Sequence, residues 1–411
     1  MFLSDLIPMS EALAILDENQ KIMEIETINL KESYLRALAE DISSFHDSPP
    51  FDKSAMDGYA VIAHDTFGAS SNVIKELKII DQIGAGSFSD KKIKNGEAIR
   101  IATGAPIPVG ADAVLMEEYT ITENEGTPEE YIKIHSQVTP GENIAILGED
   151  IKKGDSVVKS NIIIRPQEMG LIASAGVNSI NVYKKPKVKL IITGNELVDP
   201  SRKLDKAQII NSNQYVIASM IKSCGTSVDV SYAQDNFEKV KENLLNSSNE
   251  YDLIITTGGT AISKGDVVVD AVNSIGEVLF HGVALRPGKP VGFGIINETP
   301  IFTLSGYPVA AMGQFDALVR GFLFKMQNIE FNPRMEKREA EVKIYSNLGR
   351  VDYIRSISDD KKVKSILSRG SGIIRSMVEA NGYIIVDENQ EGIAKGDIVD
   401  VLFFDSMNWN K

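Results

Sequence analysis

The apolar positions of this chain change period several times, and each change marks a change of architecture. Ala12, Leu13 and Leu16 recur at the spacing of one helix face across Ser10 to Leu16, and Ser33 to Ile42 carries a similar pattern, so two short helices are predicted near the start. The pattern breaks at Ser48-Pro49-Pro50-Phe51-Asp52-Lys53-Ser54-Ala55-Met56-Asp57-Gly58-Tyr59, a loop by composition. From Tyr59 to about Ile134, short β-like runs divided by Gly, Asn and Pro turns predict a small β-rich domain. Arg165 to Ala175 reads as a helix stopped at Gly176, with Lys184-Lys185-Pro186 as a linker behind it.

Past that linker the runs are apolar throughout. Val188 to Ile192, Val228 to Tyr232, Leu253 to Thr256 and Ile301 to Leu304 alternate with helical patterns such as Gln214 to Ser223 and Phe237 to Leu245. Such strands predict a parallel sheet covered on both faces, an α/β core. After Asn332-Pro333-Arg334, β patterns return at Glu341 to Tyr345, Tyr353 to Ile357, Gly382 to Val386 and Ile398 to Phe404, and a C-terminal β-barrel or small sandwich is the expected closure. The fold class is therefore α/β plus β, in several domains.

Composition narrows this picture. A chain of 411 residues exceeds one ordinary core, and 43% hydrophobic with 24% charged residues is the balance of a folded globular protein. The net charge of −14, with no basic run, excludes an unaided nucleic-acid or anionic-membrane surface, so an anionic substrate must be met by a local cluster. No apolar stretch approaches the ~20 residues of a membrane span, and Asp5 and Glu11 stand where a signal peptide would be basic and then apolar, which makes cytoplasm the expectation. The lone cysteine, Cys224, allows neither an internal disulfide nor a multi-thiolate site. His46, His64, His135 and His281 have no zinc spacing.

In an α/β sheet, ligands bind beyond the carboxyl ends of the strands. The loops in that position are Thr193-Gly194-Asn195-Glu196, Gln234-Asp235, Thr256-Thr257-Gly258-Gly259-Thr260 with Lys264 and Asp266, and Ser305-Gly306-Tyr307-Pro308. The glycine pair is either a simple turn or a place where bare amides approach a phosphate or pterin edge. Asp235 is a helix cap, a ligand contact or both, since Asp235-Asn236-Phe237-Glu238 has a capping-box pattern. Arg286-Pro287-Gly288-Lys289-Pro290 is either a solvated turn or a grip for an oxyanion. Asp57 and Asp150 sit in Gly-flanked loops and serve Asx turns; alternatively they meet Glu196 across a domain or subunit boundary, where only a hard cation such as magnesium would make three carboxylates favourable beside an anionic substrate.

Taken together, Pro50-Phe51-Asp52-Lys53-Ser54-Ala55-Met56-Asp57-Gly58-Tyr59-Ala60, Ile101-Ala102-Thr103-Gly104-Ala105-Pro106-Ile107-Pro108, Gly110-Ala111-Asp112-Ala113-Val114, Gly148-Glu149-Asp150-Ile151, Thr193-Gly194-Asn195-Glu196-Leu197 and the Arg286 to Pro290 turn resemble the molybdopterin molybdenumtransferase family, in order and spacing along nearly the whole chain. Gly349-Arg350, Gly370-Ser371-Gly372 and Ala380-Asn381-Gly382 fit its C-terminal domain. The resemblance implies an elongated subunit divided into 1–26 with 140–178 (a discontinuous linker and helical domain), 27–139 (an inserted β-rich domain), 179–328 (the molybdopterin-binding α/β domain) and 329–411 (a C-terminal β-barrel). It implies a homodimer, with the site where the α/β domain faces the partner's β-rich domain, and a transient contact with the molybdopterin adenylyltransferase. Adenylylated molybdopterin and molybdate are the implied substrates, AMP a product, and magnesium the implied cofactor.

On this resemblance Asp57, Thr103 and Asp150 act on the molybdate and metal side, with Asp57, Asp150 and Glu196 as magnesium ligands. Thr257, Gly258, Gly259, Lys264, Asp266, Asp235, Arg286, Ser305 and Pro308 bind substrate, and Glu196 and Lys289 join the catalytic set. The chain departs from the family at Ala145-Ile146-Leu147, where basic residues are common, and at Ser305-Gly306-Tyr307-Pro308, where Pro-Gly-Asn-Pro is common. Its Thr260-Ala261-Ile262-Ser263-Lys264-Gly265-Asp266 is closer to the molybdopterin adenylyltransferase pattern. A non-catalytic molybdopterin-binding scaffold and an adenylyltransferase are the alternative functions.

Overall fold

The computed structural model describes residues 6–258, 266–366, 370 and 372–407, with side chains up to residue 404. Near the start, α1 (Met9–Glu18) buries Met9, Ala12 and Leu16, the face its spacing predicts. The second predicted helix does not form. After a 3-10 turn, Leu30–Glu32, the chain runs extended: Leu35 N–H donates to Ile164 O, Leu38 N–H to Ile162 O and Ala39 N–H to Asn181 O, each at 2.9 Å. Ser33, Ala37 and Leu38 are wholly enclosed, so this backbone finds its partners across the fold, and tertiary pairing overrides a helical pattern.

The β-rich part is a six-stranded sheet of β1 (Gly58–Val61), β2 (Lys75–Ile83), β3 (Glu97–Ile101), β4 (Ala113–Met116), β5 (Thr120–Glu123) and β6 (Tyr131–Ile134), in the order β4-β1-β3-β2-β6-β5. At the entry to β1, a Cβ on Gly58 would lie 2.0 Å from Leu115 O, so no other residue lets the two strands approach this closely. Helix α2 (Pro166–Ser174) opens with proline, and Glu168 reaches back to accept from Arg165 N–H at 2.9 Å and from the Arg165 guanidinium. Two segments flanking the β-rich sheet in sequence, Ile25–Asn29 and Ser179–Tyr183, pair antiparallel with each other.

The α/β unit then runs β7 (Lys187–Thr193), α3 (Asn213–Ser223), β8 (Ser227–Ala233), α4 (Phe237–Ser248), β9 (Leu253–Thr257), α5 (Val267–Ile275), β10 (Glu277–His281), β11 (Gly292–Ile296), β12 (Thr299–Leu304), α6 (Pro308–Gln314), a π-type turn (Phe315–Val319) and α7 (Arg320–Met326). Strand order is β8-β7-β9-β12-β11-β10. The first four are parallel, as their apolar runs predict; β11 and β10 add on antiparallel, with Gly292 and Gly294 interrupting the apolar run of β11. Val188, Leu190 and Ile192 point into one core with α1, α3, α6 and α7, while Ile191 points into the other with α4 and α5.

In the C-terminal part, β13 (Pro333–Ala340), β14 (Val351–Ser358), β15 (Lys362–Ser365), β16 (Gly382–Val386) and β17 (Ile398–Met407) form a curled sheet in which β14 pairs with both β15 and β16. Of the strand predicted at Glu341 to Tyr345, Ile344–Tyr345 forms and pairs antiparallel with Gly392–Ile393, while the longer strand β13 precedes it. Strand β13 is masked by its charges: Arg334 and Arg338 stack on the Phe403 ring at 4.6 and 5.5 Å, so cationic side chains supply packing that an apolar count does not register. Leu285–Arg286 pairs parallel with β14, Arg286 opposite Asp352, and so joins the curled sheet to the α/β unit.

The aromatic centre of the α/β core is Phe302, fully enclosed, with Phe293 and Phe322 at ring distances of 4.9 and 5.4 Å. Truncation to alanine should cost about 3–5 kcal/mol, the range for a buried phenylalanine. Guanidinium unfolding of Phe302→Ala is therefore expected to show a markedly lower midpoint, and an unchanged one would show that this cluster does not hold the unit together.

Candidate functional site

At the carboxyl ends of β7, β9 and β12 lies a crevice of about 860 Å³, lined among others by Glu196, Asp235, Thr257, Gly258, Ser305 and Pro308. The structure thus brings these six predicted residues together. Gly258 has φ +95°, and a Cβ there would stand 2.2 Å from Thr193 O; the turn needs glycine on both counts. Asn213, at the start of α3, donates from Nδ2 to Gly306 O at 2.9 Å and holds the Ser305 loop from below.

The Ser305 loop and the 286–290 turn share one anchor, Gln314. Its side chain is fully buried; Oε1 accepts from Ser305 N–H at 2.8 Å, and Nε2 donates to Gly288 O at 2.8 Å and Pro290 O at 3.2 Å. Gly288, at φ +100°, leaves room for it, since a Cβ would come within 2.6 Å of that Nε2. Nothing in the sequence analysis singled out Gln314, although a glutamine amid the apolar residues of α6 is the signal of a buried polar group with an assigned partner. Arg286 is itself half exposed and donates to Asp352 Oδ2 at 3.2 Å; Asp352, wholly buried, also accepts from Arg350 Nε at 3.1 Å and from Ser346 Oγ at 2.8 Å. Lys289 is partly buried, and its carbonyl accepts from Val283 and Val291 N–H at 3.1 and 2.9 Å.

Two acidic residues behave differently from expectation. Asp235 is not the cap of α4: Asn236 is, accepting from Lys239 N–H at 3.2 Å, while Asp235 and Asn195 exchange long backbone-to-side-chain bonds of 3.3 and 3.4 Å that tie the loops after β7 and β8 together. Asp266 is the cap of α5, with Oδ1 accepting from Val268 and Val269 N–H at 3.1 and 3.0 Å, and its carboxylate is buried beneath the helix rather than lining the crevice. Its second oxygen faces His281 Nε2 at 3.5 Å. Burial pushes Asp266 up to about 6 and holds His281 below its usual value. Gly259 and Lys264 lie outside the described residues.

On the β-rich part, Asp57 Oδ1 accepts from Thr103 N–H at 2.7 Å, so these two predicted residues are one local unit. Asp150 is exposed in a loop stapled to 48–53: its N–H donates to Ser48 O at 3.1 Å, and Leu147 N–H donates to Asp52 Oδ1 at 2.8 Å. None of Asp57, Thr103 and Asp150 borders the crevice that Glu196 lines. Among the described residues, no three of His, Cys, Asp or Glu gather to hold a metal. Within one chain, then, the predicted Asp57–Asp150–Glu196 trio does not fit magnesium, because the β-rich and α/β parts present their carboxylates separately.

Three successive segments match family models: residues 7–176 the MoeA N-terminal region (domain I and II), 189–325 a probable molybdopterin binding domain, and 337–404 the MoeA C-terminal region (domain IV). A Methanocaldococcus jannaschii relative, named for molybdopterin biosynthesis, is 39% identical over 94% of this chain and 93% of its own length. A molybdopterin molybdenumtransferase of Staphylococcus aureus is 33% identical over 97% of this chain and 96% of its own. The chain belongs to the MoeA family. It is accordingly a transferase of molybdenum-cofactor biosynthesis. A MoeA crystal structure from Pyrococcus horikoshii superposes with a TM-score of 0.81 at 33% identity, covering 97% of this chain and 100% of that one.

Two measurements follow from this geometry. Gln314→Leu leaves Ser305 N–H and the Gly288 and Pro290 carbonyls without their partner, and each unmet buried group costs about 1–3 kcal/mol, so the melting temperature should fall clearly. For Asp266 the folded state binds a proton more readily than the unfolded chain, so its contribution is most favourable below about pH 4 and is lost as pH rises through about 6. His281, held below its usual value by burial, acts in the opposite sense at low pH. Asp266→Asn, which keeps a capping oxygen, should therefore gain stability relative to wild type at pH 8 compared with pH 4; an equal difference at both would remove the buried carboxylate from the pH dependence.

Proposed function

We propose that this chain transfers molybdenum from molybdate to adenylylated molybdopterin with release of AMP. The observation that carries the reading is the joint fixing of the Ser305 loop and the 286–290 turn by Gln314, beside a glycine turn at the sheet's carboxyl edge. Bare backbone at Gly258 lets a flat heterocycle or a phosphate come close, and Arg286 and Lys289 supply cationic charge for an oxyanion in a chain of net charge −14. Two Mo–S bonds form as one oxygen leaves molybdate as water, carrying the two thiol protons, and a second water cleaves the phosphate–phosphate bond to release AMP; the protein's part is positioning and preorganised charge.

The rest of the proposal follows from the separated carboxylates. Asp57, Thr103 and Asp150 reach Glu196 only between two copies, so the working unit is a homodimer whose site takes the α/β wall from one chain and the β-rich wall from the other. Magnesium, where used, would be held by carboxylates from both copies; no step is assigned to it. The curled C-terminal sheet closes as a barrel at the end of an elongated subunit. The reaction belongs in the cytoplasm, with the adenylylated substrate received from the adenylyltransferase in a transient contact. A pterin-holding scaffold is the second reading, favoured by the lack of a metal-holding group among the described residues of one chain.

AMP release on adding molybdate to protein charged with adenylylated molybdopterin separates the two readings, since a scaffold releases none. Asp57→Ala and Glu196→Gln should each lower that release by roughly a hundredfold, the scale of losing one preorganised electrostatic contact. If the site is shared between copies, mixing the two inactive variants restores about a quarter of wild-type release through exchanged dimers, each with one intact site. Wild-type rates in both single variants would remove these carboxylates from the mechanism.

A further inference from the structure

His281 has no role in the reading so far, yet it meets the one oxygen of Asp266 that no other described residue satisfies. Asp266 Oδ1 is taken by the first amides of α5, while Oδ2 is buried without a hydrogen bond; His281 Nε2 is likewise buried without one, and the two atoms stand 3.5 Å apart. A buried carboxylate oxygen or imidazole nitrogen left unpaired is costly, and one proton between them satisfies both. With two protons the pair has two donors facing each other, and with none it has two lone pairs. We infer that His281 is a positioning residue of the site, sharing a single proton with Asp266 and thereby locking the start of α5 to the strand that leads into the 286–290 turn.

The surroundings are built for this contact. Gly292 stands in register with both His281 and Thr303; a Cβ on it would collide with Thr303 Oγ1 at 2.5 Å, while the imidazole edge, at 3.4 Å, would only be brought into contact. Burial raises Asp266 and lowers His281, each toward its neutral form, and the charge of Asp270, one turn along α5, raises both. On one side of the pair, Val267 borders the crevice. On the other, Gly282 N–H donates to Val291 O at 2.8 Å and Val283 N–H to Lys289 O at 3.1 Å, so the backbone that follows His281 is bonded to the base of the cationic turn. The pair is thus a crosslink between two walls that the proposed transfer reaction needs in fixed relation, and in this respect the inference rests on that reading.

The test combines a spectroscopic and a kinetic measurement on the full chain. With four histidines in the sequence, imidazole nitrogen NMR can resolve His281, which should carry its proton on Nε2 at pH 7–8 and change its resonance in Asp266→Asn. Amide exchange at Val268 and Val269 should accelerate in His281→Leu. AMP release should fall about tenfold or more in His281→Leu, whereas His281→Gln, which places an N–H near the same point, should stay within roughly threefold of wild type and lose any inflection near pH 6. An Nδ1–H tautomer in the wild type at pH 7–8 whose resonance does not change in Asp266→Asn, or unchanged amide exchange and kinetics in His281→Leu, would overturn the inference. If His281→Leu does not fold, the wild-type tautomer and the His281→Gln profile still decide. A wild type that releases no AMP counts against the transfer reaction, while the tautomer and exchange results independently support or reject the pair.

Discussion

A parallel sheet buried on both faces can offer a ligand only its strand ends, and that constraint organises the molecule. Because Val188, Leu190 and Ile192 fill one core and Ile191 the other, no sheet face is left open, and the loops after β7, β8, β9 and β12 must carry whatever chemistry the unit has. Those loops are then held by polar side chains reaching up from the helices: Gln314 and Asn213 from α6 and α3, with the Asn195–Asp235 exchange across the rim. The result is an edge of exposed backbone fixed by buried amides, which is what close approach by a flat or phosphorylated ligand demands.

Charge is distributed by the same logic. The chain is acidic overall, and Arg286 keeps its direction because it leans on Asp352, a carboxylate shielded completely and balanced by Arg350 and Ser346. The near side of the guanidinium is thereby already oriented, although Arg286 stands outside the residues that line the crevice, where Pro290 is the nearest member of its turn.

How much of this could be read from sequence depends on what each residue type signals alone. Four parallel strands were legible because their runs are mainly apolar, despite Lys189 in β7 and Asp229 and Ser231 in the edge strand β8, and the loops at their ends followed from the architecture. Strand β13 was not, since Arg334 and Arg338 contribute packing through their stems and faces, and Ser33 to Ile42 was misread because its pattern arises from enclosure on several sides rather than on a helix face. The crevice residues Glu196, Asp235, Thr257, Gly258, Ser305 and Pro308 were found as a set by position, whereas Gln314 and His281 carry meaning only through partners distant in sequence. Asp235 and Asn236 show the finest limit: both suit a cap, and only backbone geometry chooses Asn236.

The parallel pairing of Leu285–Arg286 with β14 gives the last part of the chain an unusual hold on the first. The curled sheet borrows its outermost rung from the α/β unit, and the α/β unit in return borrows Asp352 to steady its guanidinium. Division of the molecule between these parts would strip a buried carboxylate of one cation, leave Arg286 free to swing, and bare backbone that would invite association. Evolutionary shuffling of the C-terminal region is therefore restricted to replacements that bring their own counterpart of Asp352, and the two regions are expected to be inherited together.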